Sequence, residues 1–233
     1  ASPEQFRFTT SARSSLWERL RIGGSISPES LESQLNVDLQ QIKIRESLVL
    51  IAPEIAENAR DGEASFDIAI SSVGLRRMKA TVDGSAGPFV FAGHGGTATV
   101  EAKRLRGAIT YQGKVFQVDV EQLELGSPRL QASGELEIQP GSLSARINVR
   151  DVNIAEVNHM ALRWVDDIQG AKTILRYIPA GTIPEVNFHS SGRSLAEMIS
   201  SQNIVVAASL RDGRISIPAY DLEFENVGGS LRI

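Results

Sequence analysis

The chain has 233 residues, 42% hydrophobic and 22% charged, an ordinary balance for a globular chain long enough to build a real core. A net charge of -4 with no basic block argues against a nucleic-acid binder. Cysteine is absent, which excludes disulfides, thiolate catalysis and cysteine metal sites; small extracellular scaffolds usually need disulfides, whereas cytosolic or periplasmic chains do not.

No apolar run reaches the length of a transmembrane helix. The first residues, ASPEQFRFTTSARSS, lack the apolar core of a signal peptide. The chain starts without Met, and NVGGSLRI stops inside a predicted strand, so the sequence is expected to be a piece of a longer protein.

In chain order, SLWERLR at Ser15 to Arg21 reads as a short helix stopped by Gly23-Gly24. SISPESLESQL reads as a second, with Ser27 as N-cap and Pro28 at the first helical position. Val37 and Leu39 alternate, then the pattern slips to Ile42 and Ile44, which predicts a bulge or a strand break. Ala52 to Gly62 is a loop or a short helical turn. Phe66, Ile68 and Ile70 mark a strand face, and Leu75 to Val82 the next strand. GHGG at Gly93 to Gly96 turns the chain.

Thr97 to Arg150 is the plainest β-meander. Ala98, Val100 and Ala102 share a face, then Ile109 and Tyr111, then Phe116, Val118 and Val120, then Leu123 and Leu125. Leu130, Ala132, Leu136 and Ile138 follow, then Leu143, Ala145, Ile147 and Val149. Turns fall at Gln112-Gly113-Lys114, Gly126-Ser127-Pro128 and Pro140-Gly141. Period-two alternation with turn residues at this spacing predicts antiparallel strands with one apolar face.

Beyond Arg150 the period changes. Ile154, Val157, Ala161, Trp164, Val165 and Ile168 recur at helical spacing, and Ile174, Leu175 and Ile178 continue the stripe to Pro179. GTIPEVNFHSSG reads as a strand. Ser194 caps a short helix with Glu197 three residues on. NIVVAASL, GRISIPAYDLEFENV and GGSLRI read as three or four final strands, with tight turns at Asp212-Gly213 and Asn226 to Gly229. Residues 1–96 form a β-rich part with short helices, and 97–233 a meander with inserted helices, continuous with the first.

No catalytic constellation emerges. The GHGG loop could form an oxyanion hole, but there is no G-x-S-x-G nucleophile to use it. His94, His159 and His189 stand far apart without metal-ligand spacing. Asp166-Asp167 would point about 100° apart on a helix and cannot converge as an acid/base pair. Arg76, Arg77, Lys79, Lys103, Arg104 and Arg106 interleave with strands and read as a solvated face, with anionic headgroup contact as the alternative. Neither cofactor nor metal is expected.

The segments LRGAITYQGKVFQVDVEQLELGSPRLQASGELEI, GSLSARINVRDVNIAEV, WVDDIQGAKTILRYI and YDLEFENVGGSLRI, with short G-x-L and G-x-I strands at Gly107, Gly134, Gly141 and Gly229, resemble the AsmA-like family of Gram-negative envelope proteins. The likeness covers Glu101 to Ile233 and is one of order and style. It implies a mainly β, elongated, curled antiparallel meander whose apolar concave face is partly covered by helices. It also implies a non-enzymatic, periplasmic, inner-membrane-anchored protein that conducts phospholipid toward the outer membrane. Envelope proteins would be its partners, and membrane contact would lie in segments outside this chain. The groove-facing residues would be Ile109, Tyr111, Phe116, Val118, Val120, Leu136, Ile138, Ile147, Val149, Leu222 and Phe224; alternatively they are core against the Ile154–Ile178 helix. A β-sandwich binding module, for which 6% aromatic content offers few stacking platforms, is the second reading. A hydrolase using the GHGG loop is the third.

Overall fold

Each alternating run pairs with the run before it and the run after it. The computed structural model describes residues 5–51, 56–57, 59–60, 62–74, 76–93, 96–158, 177–198 and 200–232. The strands are β1 (Phe6–Ala12), β2 (Arg19–Ser27), β3 (Glu32–Lys43), β4 (Ala59–Arg60), β5 (Glu63–Val73), β6 (Arg77–Gly93) and β7 (Gly96–Gln112). They continue with β8 (Val115–Ser127), β9 (Arg129–Gln139), β10 (Ser142–Asn153), β11 (Ala180–Gly192), β12 (Ile204–Ile217) and β13 (Leu222–Arg232). All thirteen belong to one sheet in sequence order, except that β4 pairs beside β6. The pairs are antiparallel, and the sheet is curled and unclosed. Pairing of β6 with β7 runs from Arg77↔Gln112 to Gly93↔Gly96, so the sheet is continuous across the expected division at residue 96.

One end of the sheet carries tight turns. Gly113 and Gly141 adopt φ of 68° and 76°, a region that favours glycine because it has no Cβ. Neighbouring turns are tied together: the Gly74 N–H donates to Leu31 O at 2.9 Å and the Gly113 N–H to Arg76 O at 3.0 Å. The opposite end carries helix α1 (Ile44–Ile51), the start of a helix at 154–158 and a one-turn 3-10 helix, Pro218–Tyr220. Asn153 caps the 154–158 turn, its Oδ1 accepting from the N–H of Ala155 and Glu156 at 3.0 and 3.3 Å. Helix α2 (Leu195–Met198) follows β11 at the tight-turn end. Ser194 Oγ accepts from the Glu197 N–H there at 3.2 Å, as the capping pattern anticipates. Ser190, 1% exposed, donates its hydroxyl to Met198 O at 2.6 Å and fastens α2 to β11.

Bulges keep the long strands in phase. The slip after Leu39 is a register shift with Gln41 at φ 52°. Similar shifts separate Val120 from Leu123 and Leu210 from Ile215. Each inserts one residue and lets the alternation resume on the same side.

Three expectations need correction. Ser15 to Arg21 and Ser27 to Leu35 are not helices; they supply β2, β3 and the turn between them. The capping signals lost to alternation: Leu20, Ile22 and Ile26 pair with Leu39, Val37 and Ser33, which gives a local helix no independent role. Asp212 and Asn226, read as turn residues, are bulges with φ of 50° and 56° inside β12 and β13. Their tolerance of left-handed backbone suits a bulge as well as a turn. The chain therefore ends in two long strands. Of the helix expected from Ile154 to Ile168, residues 154–158 are helical; the rest, with Trp164, Asp166, Asp167 and His159, lies outside the described residues, as does His94.

Among the described residues the buried hydrophobic side chains are Ala56, Ala59, Ala64, Ala108, Val152, Ile154 and Met198. Four are alanine, and none is an aromatic of the sheet. The apolar side of the sheet is therefore not sealed like a domain core.

Candidate functional site

Register decides which side chains share a face, because directly paired residues point the same way. Val118 pairs with Ile109 and Leu136, and Phe116 with Tyr111 and Ile138. Val120 pairs with Gly134, which pairs with Ile147, and Ala132 pairs with Val149. These nine named groove candidates from β7 to β10 stand on one face. Leu222 and Phe224 pair with Ile217 and Ile215, and counting through the bulges at Asp212 and Asn226 puts them on the same face. All eleven are thus brought together on one surface.

The face is larger than the sequence reading marked. A single cross-strand row runs Ile22, Val37, Ile68, Val82, Gly107, Val120, Gly134, Ile147, Phe188, Val206. It crosses ten strands, roughly 40 Å along the curled sheet at about 4.8 Å per strand. Flanking rows hold Leu35, Ile70 and Ala80 beside Ile109, and Met78 beside Tyr111. The missed signal was present in the first half of the chain: its runs alternate, but one-residue slips hid that they share a side. Reading each slip as a bulge recovers it.

These side chains are half-buried or exposed. Met78 is 41% exposed, Ile147 43%, Phe224 48% and Phe6 62%. Three rows about 7 Å apart over roughly 40 Å give an apolar surface on the order of 800 Å². Monomers rarely leave more than a few hundred Å² of contiguous apolar surface in water. The glycines in the face are sites of close approach: a Cβ on Gly134 would lie 2.7 Å from Arg146 O, and Ile147 covers the position.

The other face is polar and cross-linked. Arg19 pairs with Asp38 at 3.2 Å, Arg104 and Arg106 with Asp83 at 3.3 and 2.7 Å, Arg146 with Glu135 at 3.6 Å, and Arg150 with Glu185 at 3.9 Å. The hydrogen bond from Arg106, aided by Arg104, holds the Asp83 carboxyl below its usual range against the opposing effect of burial. A depression of about 660 Å³ lies on this face, lined by Arg21, Asn36, Asp38, Asp67, Asp83 and Arg106 among others. Asp38, Asp67 and Asp83 stand directly opposite one another on β3, β5 and β6, with no cation between them. Arg19 approaches Asp38, and Arg104 and Arg106 approach Asp83, from the flanks. Thr9 and Thr81 line the same depression, the Thr81 hydroxyl donating to Ala69 O at 3.4 Å, and no metal-holding group of side chains occurs among the described residues. A second depression, about 540 Å³, holds His189 beside Arg146 and Asn187 without a nucleophile–base pair. Both hollows form where small residues such as Gly23, Ala69 and Ala207 sit among long polar chains. An open apolar face encloses no such volume, so the face itself is the stronger candidate site.

The strands form one open sheet and not the two closed sheets of a sandwich, which removes that form of the second reading. No helix among the described residues is long and apolar enough to cross a membrane. No protein-family model, characterised protein or solved structure matches this chain.

Proposed function

We propose that the apolar face of the sheet holds lipid acyl chains, and that the chain is a non-enzymatic segment of an envelope protein that binds or conducts phospholipid between membranes. The observation that carries this is the register: apolar strand residues from Phe6 to Leu231 fall on one face while ion pairs occupy the other. An apolar surface of this extent in water needs an occupant. Lipid chains suit it because they require length and apolarity without specific polar contacts, and the Ser33 and Ser72 hydroxyls on this face bond to each other. A face roughly 40 Å across also exceeds one leaflet's share of an about 30 Å hydrocarbon core, enough for acyl chains to pass from strand to strand. In this reading the protein works in the periplasm, anchored to the inner membrane through segments outside this chain, and supports outer-membrane biogenesis beside envelope partners.

The test is native mass spectrometry of protein purified from a Gram-negative envelope extract. Phospholipid adducts that survive gentle activation, and that disappear when Phe116, Val118 and Val120 become Asn, Thr and Thr, are the expected result. Lipid-free protein with normal stability would contradict it, and would favour a protein partner seated on the same face.

A further inference from the structure

The tight-turn end of the sheet has its own chemistry. Arg76, Arg77, Lys79 and Lys114 gather where β6 begins and β7 turns into β8. Arg77 pairs with Gln112 in register, and the bond from the Gly113 N–H to Arg76 O locks the two turns side by side. All four cations are exposed, and none has an ion pair among the described residues. Elsewhere on the sheet six arginines are partnered across strands. The nearest acid by register is Glu32, opposite Val73, which is itself opposite Arg77; two strand spacings, about 10 Å, separate them. Apolar tips stand among these charges: Leu31 is 65% exposed in the turn tied to Gly74, and Val73 and Met78 are exposed beside Arg77. Exposed cations alternating with exposed aliphatic tips on one rim match an anionic bilayer surface, where phosphates attract the cations and aliphatic groups enter the interface.

We infer that this end of the sheet, between β3 and β8, docks on an anionic lipid surface, with Arg76, Arg77, Lys79 and Lys114 facing headgroup phosphates and Leu31 and Met78 entering the interfacial layer. The inference goes beyond the acyl-chain reading and stands on charge and exposure at the rim. It gives the sheet a polarity: the tight-turn end meets the membrane and the end bearing α1 and Tyr220 points away.

The experiment uses sedimentation with vesicles of phosphatidylcholine alone or enriched in phosphatidylglycerol. The chain is expected to bind only the anionic vesicles, with salt weakening the binding. R76Q/R77Q/K79Q/K114Q should lower it on the order of a thousandfold at low salt. R7Q/R13Q/R211Q/R232Q, which removes equal charge elsewhere, should lower it only a few-fold. Both variants are checked by circular dichroism. Because cysteine is absent, Leu31→Cys and Tyr220→Cys each give a single labelling site. A polarity-sensitive dye should shift to the blue at position 31 on anionic vesicles and stay unchanged at 220. Equal losses in the two quadruple variants, no binding by the parent chain, or a shift at 220 alone would overturn the inference. Phospholipid carried by the R76Q/R77Q/K79Q/K114Q variant is measured separately: its retention leaves the acyl-chain reading intact whichever way docking falls.

Discussion

Replacing Ile147 with Thr separates an open apolar face from a covered core. The residue sits on the cross-strand row of the face, between Gly134 and Phe188, and 43% of it is exposed. Thr keeps the β-branch, so strand propensity barely changes. The change removes about two methylene equivalents, worth about 0.8 kcal/mol each when fully buried. Only a little over half of the side chain is covered, so the transfer loss is about 1 kcal/mol. Solvent reaches the new hydroxyl, which therefore adds little. For a chain of this length that corresponds to a melting-temperature drop of about 2–4 °C. In a sealed core the same change would leave a hydroxyl without a partner and a small cavity, and together these would exceed about 3 kcal/mol. Urea unfolding followed by circular dichroism measures the difference, provided the slope with denaturant is unchanged. A loss above about 3 kcal/mol would refute the open-face reasoning.

Asp67→Asn should raise stability by about 0.5 kcal/mol in low salt by relieving the row of opposed carboxylates, with the gain shrinking in high salt; a loss would mean the carboxylate has a structural partner. Gly84→Ala should destabilise by about 1–3 kcal/mol, because the new methyl meets Ser65 O at 2.6 Å and presses into the Phe66 ring; calorimetry would show a neutral change if the strands can part. Asp83 has a folded-state pKa below its unfolded one, so its contribution to stability is present above the unfolded pKa and is lost as pH falls through the folded one. Acid unfolding curves of Asp83→Asn should therefore lack part of the parent's decline in that window. Ser190→Ala should free α2, read as faster hydrogen exchange at Met198 and Asn203 with the central strands unchanged.

The meander from Thr97 to Arg150 was legible because its apolar positions alternate between glycine-marked turns, and register, turns and face all follow from that pattern. The bulge after Leu39 was legible too, as a slip in parity. The first thirty-five residues misled because Ser27-Pro28 and the acids after it imitate a helix start. Only the pairing of Ile22 with Val37 and Leu20 with Leu39 reveals the hairpin, and pairing is a long-range fact. Asp212 and Asn226 misled for a related reason: a residue suited to left-handed backbone serves a turn or a bulge, and the partner strand decides which. That the eleven candidates share a face was legible within each strand because alternation needs no partner to be seen. Continuity of the face from β1 to β13 could not be seen, since it requires every bulge to be counted against its neighbours.

The central claim, acyl chains on one face of the sheet, is tested most directly by a photo-crosslinking amino acid placed in turn at Phe116, Gln117, Val118 and Asp119 in protein expressed in a Gram-negative envelope. If lipid occupies the apolar face, mass spectrometry finds phospholipid adducts at 116 and 118 and none at 117 and 119. Adducts at all four positions, or at neither 116 nor 118, would contradict it.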